Sequence, residues 1–158
     1  MVAEFHELIR ALIADEPQLL STNKDKAGHA IQLLTETLSS IQSIAADDAL
    51  LMRLCMQLEE TIEWIEAHQK DDLIEAADAL GDRAFLLLGD AVSTGIPLDK
   101  VFAEVHRSNM TKKGGLKSSE GKELRLEDLK SRIFQLFLML NRKQSSPAKR
   151  AIWRASKT

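Results

Sequence analysis

The chain has 158 residues, which suits one ordinary hydrophobic core and is short for two. Its composition, 44% apolar with 7 Gly and 3 Pro, excludes a disordered chain or a turn-rich sandwich and favours helices. A net charge of -3 provides no global positive field, so neither a nucleic-acid polymer nor a membrane is an expected partner. Cys55 is the sole cysteine and cannot form an internal disulfide; within the run Leu51, Leu54, Leu58 it reads as a core residue of a protein in a reducing, cytoplasmic setting. Glu4 and Glu7 stand where a signal peptide carries basic residues, and no apolar run approaches the length of a membrane span.

Phe5, Leu8, Ile9, Leu12 and Ile13 repeat at helical spacing and predict a first helix that Pro17 ends. A second helix follows Ser21-Thr22-Asn23, with Ala27, Ile31, Leu34, Leu38, Ile41 and Ala45 on one face. Asp47-Asp48 caps a third helix, from about Ala49 to His68, whose apolar stripe is Leu51, Leu54, Leu58, Ile62 and Ile65. Asp71 and Asp72 cap a fourth helix that runs to about Thr94, where Gly95 fits the C′ position and Pro97 prevents continuation. The third and fourth helices therefore form an antiparallel hairpin at the centre of an all-α bundle. Leu98, Val101, Phe102 and Val105 mark a short fifth helix, Lys112-Lys113-Gly114-Gly115 opens a polar loop to about Arg125, and a last helix spans Leu126 to about Arg142. The expected organisation is one domain over 1–142 and a basic, flexible tail over 143–158.

The chemistry-bearing pattern lies on the hairpin. Glu60 and Glu63 are three residues apart, as are Glu75 and Asp78, so each pair projects from one helix face with Cβ atoms about 5 Å apart. A turn centred near Gln69 would set Glu63 beside Glu75 and Glu60 beside Asp78. Four such anions repel unless protonated or neutralised, and an all-oxygen set of this kind suits Mg²⁺ or Mn²⁺ rather than zinc. The same acids would also serve as a solvated helix face. Ala76, Ala77, Ala79 and Gly81 leave room for close approach, of a ligand or of another helix. Asp82, one turn beyond Asp78, is a further ligand, an outer acceptor or a surface acid.

A second motif, Val105-His106-Arg107-Ser108-Asn109-Met110-Thr111-Lys112-Lys113, ends the fifth helix. Arg107, Lys112 and Lys113 offer cations and Asn109 a neutral donor, a combination suited to phosphate, although cations at a helix C-terminus also answer the macrodipole. His106 is expected at solvent or at a core edge.

The order Glu59-Glu60-x-x-Glu63, then Glu75-x-x-Asp78, then the stretch from Gly95 to Lys112, resembles the all-α nucleotide pyrophosphohydrolases of the MazG type. Their phosphoribosyl-ATP pyrophosphohydrolase-like branch is the nearer match, over about Arg53 to Lys122. The resemblance implies that Glu60, Glu63, Glu75 and Asp78 hold Mg²⁺, with Mn²⁺ able to substitute. It implies that Glu59 holds a further metal or orients the attacking water, Glu59 and Glu60 being the catalytic pair. Arg107, Asn109, Lys112 and Lys113 would face the phosphates. The implied reaction converts a nucleoside triphosphate to the monophosphate and pyrophosphate, as in house-cleaning of dUTP or other non-canonical nucleotides. The alternatives are a phosphoribosyl-ATP pyrophosphohydrolase of histidine biosynthesis and a non-catalytic nucleotide- or metal-binding bundle. Family members complete their bundles by oligomerisation, which implies a homodimer or homotetramer.

Overall fold

The computed structural model describes residues 1–111 and 119–144, with the side chains of 1–111 and 127–139. Among the described residues there are six helices and no strand: α1 (Val2–Ile9), α2 (Lys24–Gln42), α3 (Ala49–Lys70), α4 (Leu73–Thr94), α5 (Leu98–Met110) and α6 (Ser119–Gln144). The chain is all-α, as its composition and periodicity imply, and among the described residues no helix is long and apolar enough to cross a membrane. The helices pack as two compact units, one of α2, α3 and α4 and the other of α1, α5 and α6.

Side-chain caps fix where the helices of the first unit begin. The Asn23 side chain accepts the Lys26 N–H at 3.0 Å, and the Asp48 carboxylate accepts those of Leu50 and Leu51 at 2.9 and 3.0 Å. Asp72 does the same for Ile74 and Glu75 at 3.0 and 3.1 Å. Each cap satisfies N–H groups that have no partner within the helix. Gly95 closes α4 at φ 68, a left-handed conformation that costs glycine nothing, and the Ile96 N–H returns to the Ala91 carbonyl at 3.0 Å.

Three boundaries differ from the periodicity. Helix α1 stops at Ile9, well short of Pro17, because Arg10 turns left-handed at φ 55 and the Ala11 N–H bonds the His6 carbonyl at 2.9 Å. Helix α3 continues through Gln69 to Lys70, so the reversal falls on Asp71 and Asp72. Asp71, at φ 61, provides the left-handed step that lets the chain double back. Helix α6 begins at Ser119, inside the stretch expected to be a loop; Glu120, Lys122, Glu123, Leu124 and Arg125 are all good helix formers.

Helix α3 is the shared wall of the first unit. On one side Cys55 and Ile62 pack with Leu38 and Ala45 into a buried cluster, flanked by Ile31, Leu34, Ile41, Leu51 and Leu58. The expectation that Cys55 is a core residue is met. The two helices are antiparallel, since Gln69 near the end of α3 donates to the Lys24 carbonyl at 3.0 Å while Gln42 at the end of α2 reaches Glu59. Toward α4, Arg53 pairs with Asp90 at 2.6 Å and with Ser93 at 2.5 Å, and nearer the turn the Arg83 guanidinium lies 4.9 Å from the centroid of Trp64. Ala76 and Ala79 are buried, which lets the α3 and α4 backbones approach.

The core so formed is thin. Among the described residues no large side chain is fully buried, and on α4 Ile74 (77%), Phe85 (75%) and Val92 (82%) lie open to solvent. In the second unit, α5 carries the contacts: His106 Nε2 meets Glu4 of α1 at 3.2 Å, and Arg107 reaches Asp128 of α6 at 2.9 Å.

Asp72 is the cap on which the hairpin turn rests, so Asp72→Ala should destabilise the chain by about 1 kcal/mol. Thermal unfolding should record this as a fall in Tm of roughly 2–4 °C. An unchanged Tm would mean that the turn holds without its cap.

Candidate active site

Position along α3 and α4 decides which acids meet. Met52, Met56, Glu59 and Glu63 recur at steps of four, three and four and so share one stripe of α3, with Glu60 beside it. From α4, Asp78 and Asp82 face the same neighbourhood, since both act on Glu60. Burial raises the Glu60 pKa from its ordinary 4.5, and the charges of Glu63, Asp82, Glu59 and Asp78 raise it further, in that order. One Glu60 oxygen, Oε2, is shut off from solvent and has no hydrogen-bond partner. Glu59 is better satisfied, its Oε1 accepting the Gln42 amide at 3.0 Å.

The register differs from the sequence expectation by about one helical turn. Because α3 runs to Lys70 and the reversal falls on Asp71-Asp72, the α4 residue acting more strongly on Glu60 is Asp82, with Asp78 contributing less. Glu75 is not among the acids that shift Glu60; its charge acts instead on Lys70, whose pKa is raised first by a hydrogen bond to Glu66 and more weakly by Glu75 and Asp72. The charges that reach Glu60 are thus those of Glu59, Glu63, Asp78 and Asp82, while Glu75 lies nearer the turn.

Among the described residues, no group of three or more His, Cys, Asp or Glu side chains is placed to hold a metal ion. The donor set nevertheless fits a hard divalent cation. Every member is a carboxylate, their mutual repulsion raises Glu60, and a buried oxygen of Glu60 lacks the partner that a cation would supply.

Of the residues expected to face phosphate, Arg107 and Asn109 are in the second unit. The Arg107 Nε donates to Glu104 and its Nη2 to Asp128, both at 2.9 Å, so its charged form is strongly favoured and Asp128 is held below the usual carboxylate range. Asn109 is half-buried on the same helix. Lys112 and Lys113 lie outside the described residues. His106, expected at solvent or at a core edge, has a side chain 17% exposed and turned to Glu4. Sequence reasoning missed Gln42, because only the antiparallel register of α2 and α3 carries the end of one helix to Glu59 in the middle of the other.

The raised Glu60 sets a pH dependence. A carboxyl that holds its proton more tightly when folded makes the native state less stable as pH rises from 4.5 through the folded value. Glu60→Gln should remove that loss and stabilise the metal-free chain at neutral pH by about 1 kcal/mol. A Tm for Glu60→Gln equal to or below that of the parent at pH 7, without divalent metal, would contradict the strained carboxylate.

Comparison with curated proteins and with solved structures returned no match. The profile of a family described as phosphoribosyl-ATP pyrophosphohydrolase matches residues 31–109, half of the chain. The matched span contains all of α3 and α4, every acid of the cluster, and α5 as far as Asn109. A chain whose acid-bearing hairpin and following helix fall within this match belongs to the phosphoribosyl-ATP pyrophosphohydrolase family, and its general activity is that of a nucleotide pyrophosphohydrolase.

Proposed function

We propose that the protein hydrolyses a nucleoside triphosphate to the monophosphate and pyrophosphate in a Mg²⁺-dependent reaction, acting on non-canonical nucleotides such as dUTP. The observation that carries this reading is the unpaired Glu60 oxygen set among four further carboxylates, on the two helices that the family match spans. Glu60, Glu63, Asp78 and Asp82 would hold the cation, with Glu75 joining from the turn side. Mn²⁺ would substitute. A divalent ion there supplies charge neutralisation to the phosphates and activation of water. Glu59, whose Oε1 is fixed by Gln42, has its second oxygen available to orient the attacking water and accept its proton. By their charge and hydrogen-bonding groups, Arg107, Asn109, Lys112 and Lys113 are assigned to the phosphates. A second reading, with phosphoribosyl-ATP as the substrate, is favoured by the description of the matched family itself.

The working unit in this proposal is a homodimer or homotetramer in the cytoplasm. Ile74, Phe85 and Val92 leave one face of α4 apolar and open, and a second copy is the occupant that the resemblance implies.

A panel of nucleotides that includes dUTP, the common triphosphates and phosphoribosyl-ATP, assayed with Mg²⁺ for pyrophosphate release, separates the two substrate readings. Glu63→Gln should lower kcat/KM for the best substrate by roughly a hundredfold or more, the equivalent of several kcal/mol of lost electrostatic stabilisation. It should also abolish the rise in Tm that Mg²⁺ gives the parent. A variant as fast and as metal-responsive as the parent would rule out the acidic hairpin as the site. For assembly, Phe85→Arg should shift the sedimentation coefficient toward that of a monomer at micromolar concentration; a parent that is itself monomeric there would defeat the oligomer.

A further inference from the structure

Alongside the acidic cluster, the groove between α2 and α3 widens into a pocket of about 310 Å³ lined by Gln42, Ala45, Ala46, Met52, Cys55, Met56 and Glu59. Its size is at the small end of the roughly 300–1,000 Å³ typical of ligand sites. We infer that this pocket receives the nucleobase of the substrate, with Gln42 reading the edge of the base; the inference rests on the nucleotide reading above and names the part of the site that selects the substrate.

Four features of the pocket point to a flat, apolar-faced, polar-edged group. Its inner wall is the buried pair Ala45 and Cys55, too small to fill it. Met52 and Met56, one turn apart on α3, flank the opening with flexible thioethers that favour contact with aromatic rings. The polar side is Gln42 with Glu59. One Gln42 N–H is committed to Glu59 at 3.0 Å, which leaves its second N–H and its carbonyl oxygen as a paired donor and acceptor, the complement of a base edge. Continuity with the acids supplies the fourth feature. Glu59 both lines the pocket and raises the Glu60 pKa, and Met52, Met56, Glu59 and Glu63 run along a single stripe of α3. A base seated between the methionines therefore has its sugar along the stripe and its phosphates toward the carboxylates, which is the order of base, sugar and phosphate in a nucleotide. The Gln42 bond to Glu59 also links the two ends, because a base that engages Gln42 bears directly on the group proposed to orient water.

The test uses the full-length protein labelled at its methionine methyl groups, with a non-hydrolysable αβ-imido nucleoside triphosphate and Mg²⁺. The Met52 and Met56 signals, assigned by Met→Leu substitution, should move by the ring-current effect of a stacked base, and Met1 and Met139 should not. In parallel, Ala46→Leu narrows the pocket from a position between α2 and α3. It should raise KM for the best nucleotide at least tenfold and suppress the methyl shifts, with an unchanged Tm establishing that the variant is folded. Gln42→Leu should compress the difference in kcat/KM between the best nucleotide and the others. Turnover by the parent with unmoved Met52 and Met56 signals, or an Ala46→Leu variant with parental KM, overturns the pocket assignment and leaves the hydrolase reading standing. Methyl shifts without any pyrophosphate release sink the hydrolase reading and keep the base pocket. Methionine signals that respond to protein dilution and not to nucleotide would identify the groove as a contact between copies and overturn the inference.

Discussion

The unpaired Oε2 of Glu60 is the constraint around which the acidic hairpin is organised. A carboxylate oxygen denied both water and a donor is unfavourable in the chain alone, and four neighbouring acids add to the cost. What holds it there is unrelated to acid chemistry. The caps at Asp48 and Asp72, the apolar seam of α2 with α3 and the Arg53–Asp90 pair fix the axial positions of the helices, and Glu60 follows. Strain concentrated in one carboxylate and borne by distant packing is the usual signature of a group awaiting a cation or a proton.

The same packing explains why α3 could be read from sequence in outline and not in detail. Its apolar stripe and its Asp48 cap are local, and so is the Gly95 stop of α4, so the elements were legible. Which acid stands beside Glu60 depends on where the chain reverses, and the stripe does not say whether α3 ends at His68 or Lys70. The left-handed Asp71 decides it, and an aspartate in that conformation looks in sequence like any other capping residue. Two residues of extra helix suffice to favour Asp82 over Asp78 as the α4 neighbour of Glu60. Gln42 was hidden for a related reason: a polar residue at a helix end carries no periodic signal, and its role exists only through a partner 17 positions away.

Helix α1 shows the opposite error. Its apolar spacing continues to Ile13, but the helix gives way at Arg10, which turns left-handed while the Ala11 N–H bonds the His6 carbonyl. Periodicity records which residues would share a face if the helix continued; it does not record whether a cheaper ending is available first. On α5 the sequence marked Arg107 as a cation but could not show that Glu104 and Asp128 already hold it. A guanidinium so engaged presents a different surface to an anion than a free one does, since a ligand must compete with two carboxylates for its donors.

The link between α3 and α4 is only Asp71 and Asp72, and both are engaged, one as the left-handed step and the other as the cap. Such a joint has no slack. One residue added to it would turn α4 by about 100° about its own axis, carrying Asp78 and Asp82 away from α3 and its alanines out of the seam. The long approach to α2, from Ala11 to Thr22, contains no helix and bears no such geometric duty. Length variation among relatives of this protein should therefore gather in that approach, while the Asp71-Asp72 joint should be constant in length even where its residues drift.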